Sequence, residues 1–268
     1  TYYYENGTMQ REGFYKNGFA DGIWTYWNAR GEKDFDFDFG SGLEHMALQD
    51  MVEREEIFYK PNEDDPFTGI ITQENIDDGY HFLGRVKNGK KDGDWIRWYE
   101  SGKEVPEIFL VDVPISEPEV PWSGGKQEQG GYKNGEKHGK WTEWYDNEHI
   151  KSHGNYDLGV MNGYWTFYHT NGTKEKEGNL LNGNADGLWV FYDDMENKAQ
   201  EGSFSEGVKE GQWTAWFEDG RITEGYYDGG KKNEVWTSWW DYDRTRKEMQ
   251  GAYKNGKMVD KWFFYDKN

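Results

Sequence analysis

The chain has 268 residues, 31 Lys and Arg against 51 Asp and Glu, a net charge of −20 and no cysteine. That charge argues against nucleic acid, whose binding depends on neutralising phosphates, and against anionic membrane surfaces. The missing thiols exclude thiol catalysis and thiolate metal sites.

In chain order, residues 1–7 (Thr-Tyr-Tyr-Tyr-Glu-Asn-Gly) align with 25–31 and 166–172, so the chain opens inside a repeating unit, and 1–31 are read as repeats. Residues 32–79 interrupt the pattern. Within them Asp34-Phe35-Asp36-Phe37-Asp38-Phe39 alternates strictly, so an extended strand puts three carboxylates on one face and three phenyl rings on the other. Residues 41–54 are expected to form a short helix with Leu43, Met46, Ala47 and Met51 on one side. Repeat-like sequence returns at Pro66-Phe67-Thr68-Gly69, Lys87-Asn88-Gly89 restores the register, and 80–102 are read as one repeat. Residues 103–127 carry Pro106, Pro114, Pro118 and Pro121, which forbid a central strand or helix interior. A surface loop is expected there, with one short strand over 108–113 and high protease sensitivity. From 128 to 268 the array is nearly continuous.

The unit is clearest over 163–187, where two strand-like runs are separated by one Asn-Gly turn and closed by a second. Gly-x-Trp recurs, with some variation, at Trp24, Trp95, Trp141, Trp165, Trp189, Trp213, Trp236 and Trp262, and from Trp141 to Trp213 each step is 24 residues. Glu234 and Asp260 stand where the glycine of the last two units belongs. Each unit has a second half, Gly-x-aromatic or its equivalent, as at Gly13, Gly154, Gly178, Gly202, Gly225 and Gly251. This period predicts an all-β fold: an elongated single-layer antiparallel sheet of stacked hairpins of about 24 residues, each advancing the sheet by about 9.6 Å.

Units reading Tyr-x-Asn-Gly, Glu-Gly-x-Tyr-Lys-Asn-Gly and Gly-x-Trp resemble MORN repeats, and most closely the bacterial variant described as an antitoxin-component repeat. Residues 48–69, with Val52-Glu53-Arg54, Phe58-Tyr59-Lys60 and Pro66-Phe67-Thr68-Gly69, also resemble a segment of such bacterial proteins. The resemblance spans roughly four-fifths of the chain and departs at 32–47, 103–127 and the two missing glycines. It implies stacked hairpins and a scaffolding or binding role, with no activity of its own.

Alternation sends Trp141, Trp165, Trp189 and Trp213 to one face of the sheet. Trp27, Trp98, Trp144, Tyr168, Tyr192, Trp216, Trp239 and Tyr265 go to the other. Either both ladders pack against neighbouring units and cover their glycines, or one is partly exposed and binds a partner. The binding-face aromatics are then Trp98, Trp144, Tyr168, Tyr192, Trp216 and Trp239.

No phosphate loop, dinucleotide fingerprint or Gly-x-Ser-x-Gly is present, so no enzyme, cofactor or catalytic residue is expected. His149 and His153 are four apart, but in a strand or turn that spacing does not align them for zinc. Asp34, Asp36 and Asp38 suggest calcium, yet Phe39 and His45 stand where an EF-hand loop needs Gly and Glu. The reading is therefore a non-enzymatic scaffold for protein–protein interaction, a subunit of a larger bacterial assembly at the cell envelope or outside the cell, with the cytoplasm as the alternative. A carbohydrate-binding surface and a toxin-masking antitoxin are the rivals. Both ends of the sequence fall inside a hairpin, so either the array is expected to continue or edge strands pair with neighbouring chains.

Overall fold

The computed structural model describes residues 1–28, 30–74, 80–99 and 125–267; of the loop expected over 103–127, residues 103–124, with the short strand at 108–113, lie outside the described residues, while Lys126 and Gln127 open a β-strand instead. The chain divides into two units, Thr1–Glu148 and His149–Asn268. Both are built of successive antiparallel hairpins, as the 24-residue period requires.

The second unit shows the repeat in its simplest form. Strands β13 (Ile150–Asp157), β14 (Val160–Tyr168), β15 (Lys174–Leu181), β16 (Asn184–Tyr192) and β17 (Lys198–Ser205) are neighbours in chain order. So are β18 (Val208–Trp216), β19 (Ile222–Asp228), β20 (Lys231–Trp239), β21 (Lys247–Lys254) and β22 (Lys257–Phe264). Each indole lies on the glycine of a neighbouring strand: a Cβ on Gly154, Gly178, Gly202, Gly225 or Gly251 would meet a Trp ring at 2.1–2.5 Å. Glycine is there because any side chain would displace the indole.

The residues after that glycine complete the seat. The Trp165, Trp189, Trp213 and Trp236 Nε1–H groups donate to the carbonyls of Asn155, Asn179, Ser203 and Tyr226 at 2.9–3.2 Å. The aromatic one position further meets the indole edge-on, as in Tyr156–Trp165 (5.2 Å), Phe204–Trp213 (5.1 Å) and Tyr227–Trp236 (5.2 Å). The Gly-x-aromatic signature thus has one job per position: room for the ring, an acceptor for its N–H, and an edge against its face. Trp165 is 1% exposed although this unit has no covering second layer among the described residues.

The glycine of Gly-x-Trp does something else. Gly178 faces Trp189 and Asn179 faces Asp186, so Gly187 and Leu188 form a bulge opposite β15. Gly187 sits at φ 74, and its replacements Glu234 and Asp260 keep the same conformation at φ 58 and 56. The bulge is therefore a property of the register, retained where the side chain is unfavourable.

The first unit has added layers. Strands β1 (Tyr2–Tyr3), β2 (Met9–Lys16), β3 (Phe19–Trp27) and β4 (Lys33–Asp38) form a separate sheet. A second sheet runs β5 (Glu44–Ala47), β8 (Gly69–Glu74), β9 (Tyr80–Lys87), β10 (Lys90–Tyr99), β11 (Lys126–Lys133), β12 (Glu136–Trp144), with β5 parallel to β8. Phe35, Phe37 and Phe39 are buried, as the Asp-Phe alternation requires, together with Trp24 and Tyr26 against Ile70, Leu83, Ile96 and Trp98 of the second sheet. The opposite face of β8–β10 presents Ile71, Phe82, Val86 and Trp95 to Phe58 and Phe67 around the hairpin of β6 (Val52–Arg54) and β7 (Ile57–Tyr59). The single layer of hairpins holds through the second unit, whereas β8–β10 are covered on both faces.

The helix expected over 41–54 is absent. That segment is β5, one 3-10 turn at Leu48–Asp50, and β6. Leu43 packs into the Phe37 cluster while Met46, Leu48 and Met51 join the Phe58 cluster, so its apolar residues serve opposite faces and share no helical side.

Two expectations follow from the seat and the bulge. Trp165→Ala or Trp189→Ala should cost about 3–5 kcal/mol in denaturant unfolding, as for a large buried side chain removed from a packed site; a loss under about 1 kcal/mol would show the indole to be dispensable. Glu234→Gly should raise stability by about 0.5–1 kcal/mol. Relief of the left-handed conformation is worth about 1–2 kcal/mol and is partly offset by the freer unfolded glycine. A lower denaturation midpoint would contradict it.

Candidate binding surfaces

The face opposite the indoles carries the aromatics expected to bind, and the structure places them in two settings. In the first unit Trp98 is buried, with Phe35 at 5.9 Å, and Trp144 is part-exposed. Both line a cleft between the β1–β4 sheet and β10–β12, with a cavity volume of about 1190 Å³. Lys126 reaches across it: its Nζ donates to Asp34 Oδ1 at 2.6 Å and lies 4.7 Å from the Phe35 ring and 5.7 Å from Trp144. Burial pulls this amine below the ordinary lysine range, and the Asp34 carboxylate opposes that pull only in part.

In the second unit Tyr168, Tyr192 and Trp216 are half-buried and Trp239 is buried. Here the aromatics are interleaved with ion pairs. Glu177 accepts hydrogen bonds from the Tyr192 hydroxyl at 2.7 Å and from Lys174 Nζ at 3.1 Å. Burial alone would raise the Glu177 carboxyl; these hydrogen bonds outweigh it and hold the group below its ordinary value. The same burial, joined by the bond to Glu177, pushes Tyr192 up to about 12. Lys198 pairs with Glu201 at 2.7 Å and lies 5.9 Å from the Trp216 ring, and Arg244 pairs with Glu224 at 3.1 Å and lies 5.8 Å from Trp239.

The sequence reading singled out the rings and missed the charges that hold them. A signal was present: Lys-x-x-Glu/Gln-Gly recurs at 126–130 (Gln129), 174–178, 198–202 and 247–251 (Gln250). The bulge residues were missed too. Tyr164, Leu188 and Val235 fill the middle position of Gly-x-Trp and are 53%, 58% and 55% exposed. A residue set between a positive-φ position and a buried indole has no neighbour to cover it.

The metal readings find other uses for their residues. Asp34, Asp36 and Asp38 pair with Lys126, Lys33 and Arg85. His149 Nδ1 donates to the Thr170 carbonyl at 2.8 Å, while the His153 ring lies 5.7 Å from Tyr168. Among the described residues no three His, Asp or Glu side chains are grouped to hold a metal ion. No helix among them is long and apolar enough to cross a membrane.

A family model described as a MORN repeat variant matches residues 1–17, 137–158 and 161–182. No curated protein matches the chain. The three matched stretches include the β2 hairpin entry, the β12–β13 sequence and the β14–β15 hairpin, so the model coincides with elements of the observed repeat.

The Tyr192 phenol, raised first by burial and then by its bond to Glu177, has a pH signature. The folded phenol ionises near 12 against an ordinary 10.0, so its contribution is intact below about pH 10 and is lost as the pH rises towards 12. Tyr192→Phe should flatten the fall in unfolding free energy over that interval; an unchanged slope would mean that the folded site does not raise the phenol.

Proposed function

We propose that the chain is a non-enzymatic β-repeat scaffold that binds other proteins through the second unit's aromatic face, as a subunit of a larger bacterial assembly at the envelope or outside the cell. MORN repeats commonly mediate protein or membrane interaction, and the family match supports the general role. The observation that carries the reading is the half-buried row Tyr168, Tyr192 and Trp216, bordered by the exposed Tyr164 and Leu188. Rings of this kind combine a large apolar area with a polar edge and dominate protein interfaces. Lys174, Glu177, Lys198 and Glu201 hold the row in place before a partner arrives, which lowers the ordering cost of binding. Successive rows are about 9.6 Å apart, so a partner crossing the strands meets a repeated contact.

The test is co-purification of the tagged chain from its native source, beside a Tyr168→Ala, Tyr192→Ala, Trp216→Ala triple variant. A partner should come down with the parent chain and be lost from the variant, whose far-ultraviolet circular dichroism stays the same. Equal recovery by a folded variant would overturn the assignment of this face. A partner that arrests growth alone, and is neutralised by the chain, would favour the toxin-masking role.

A further inference from the structure

The cleft of the first unit is not used by the proposed protein-binding face. Each of its walls holds a part-exposed indole, Trp27 from β3 and Trp144 from β12. On the same wall as Trp27, Phe35 stacks flat on Tyr26, with ring centroids 4.5 Å apart and planes 12° from parallel.

The polar groups of the cleft divide into two kinds. Most of its charges are already matched: Lys126 with Asp34 at 2.6 Å, Asp36 with Lys33 at 2.7 Å, and Arg30 with Glu32 at 3.1 Å. Burial pushes the Asp94 carboxyl above its ordinary value, and the exposed Lys140 and Glu148 are of opposite sign. Gln10, Gln129 and Thr142 are different. They line the cleft part-exposed, and among the described residues no group hydrogen-bonds their side-chain amides or hydroxyl.

We infer that this cleft binds a neutral oligosaccharide. A pyranose ring has an apolar C–H face, which lies against an indole, and a rim of hydroxyls that both donate and accept. Gln10 and Gln129 offer amide donors and acceptors together, and Thr142 offers a hydroxyl that does either. The matched pairs offer an ionic ligand no free charge, and the charges that remain, Asp94, Lys140 and Glu148, are of mixed sign. The volume of about 1190 Å³ lies above the range of about 300–1,000 Å³ usual for single small molecules, so several sugar units fit better than one. The inference does not depend on the protein-binding role of the second unit, because it uses none of that unit's residues.

An array of neutral gluco-, manno-, xylo- and N-acetylglucosamine oligosaccharides, probed with the full chain, tests it, followed by calorimetric titration of the strongest binder. A neutral oligosaccharide should bind, and Trp144→Ala should weaken it about tenfold through lost stacking. Gln129→Ala and Thr142→Val remove side chains that no neighbour requires, so they carry the test if Trp144→Ala fails to fold; each should weaken binding severalfold. Tyr192→Ala in the second unit should leave the affinity unchanged, which separates this cleft from the aromatic row. A blank array, binding of charged glycans only, binding of an extended peptide with no sugar bound, or full affinity in both Gln129→Ala and Thr142→Val would overturn it.

Discussion

Everything in the array rests on the contact between one indole and one glycine. In a single-layer sheet there is no second layer to exclude water, so the side chains must bury one another. A tryptophan lying flat on a neighbouring glycine does this best: the largest side chain fills the space left by the smallest, and the backbone supplies the acceptor for its N–H. The geometry repeats at Trp24 over Gly13, Trp95 over Gly84 and Trp141 over Gly130, with N–H donation to Phe14, Arg85 and Gly131 carbonyls at 2.8–3.0 Å. Each contact joins only adjacent strands, so cohesion is a sum of nearest-neighbour terms. The last indole shows the limit of the rule: Trp262 still covers Gly251, but its N–H turns to Val259 of its own strand.

The charges complement this arrangement. The indole face borrows cations: the Lys209 and Lys232 ammonium groups lie 3.7 Å and 4.0 Å from the Trp213 and Trp236 ring centroids, and burial there holds both amines below the ordinary lysine value. The other face uses lysines differently, pairing them with glutamates three residues on. A surplus of acidic side chains remains, consistent with a sheet that must stay apart from its copies while presenting aromatic rings to water.

Much of the architecture was legible because it is local. The turns at Asn17-Gly18, Asn88-Gly89, Asn182-Gly183 and Asn255-Gly256 all take two successive positive φ values, as Asn-Gly pairs favour. Leu158-Gly159 and Glu206-Gly207 make the same turn with a poorer first residue, and no Asn-Gly pair marks them in the sequence. What was not legible is what covers what. Alternation identified Phe35, Phe37 and Phe39 as one face of a strand, but nothing local says that Ile70, Leu83 and Ile96 lie opposite them. Residues 41–54 misled for the same reason: apolar spacing compatible with a helix face was in fact divided between two cores. For the candidate surfaces, Trp98 and Trp144 were found as members of a row, while the wall facing them, from Tyr26 to Phe35, comes from a different sheet.

One position in the repeat therefore has several fates, set by a covering sheet at Trp98 and Trp144 and by neighbours within the sheet elsewhere, as at Trp239, which is buried with no second layer among the described residues. At Trp98 it is core, because the β1–β4 sheet closes over it with Phe35. At Trp144 the same position forms the wall of a cleft, because that sheet covers it only in part. At Tyr168, Tyr192 and Trp216 it stays half-open, steadied by hydrogen bonds or neighbouring cations in place of a layer. The indole face varies little between these places because it holds the array together. The opposite face is relieved of that duty and is free to differ from repeat to repeat. Under the proposed scaffold role, specificity would reside on the side that the folding code leaves unassigned.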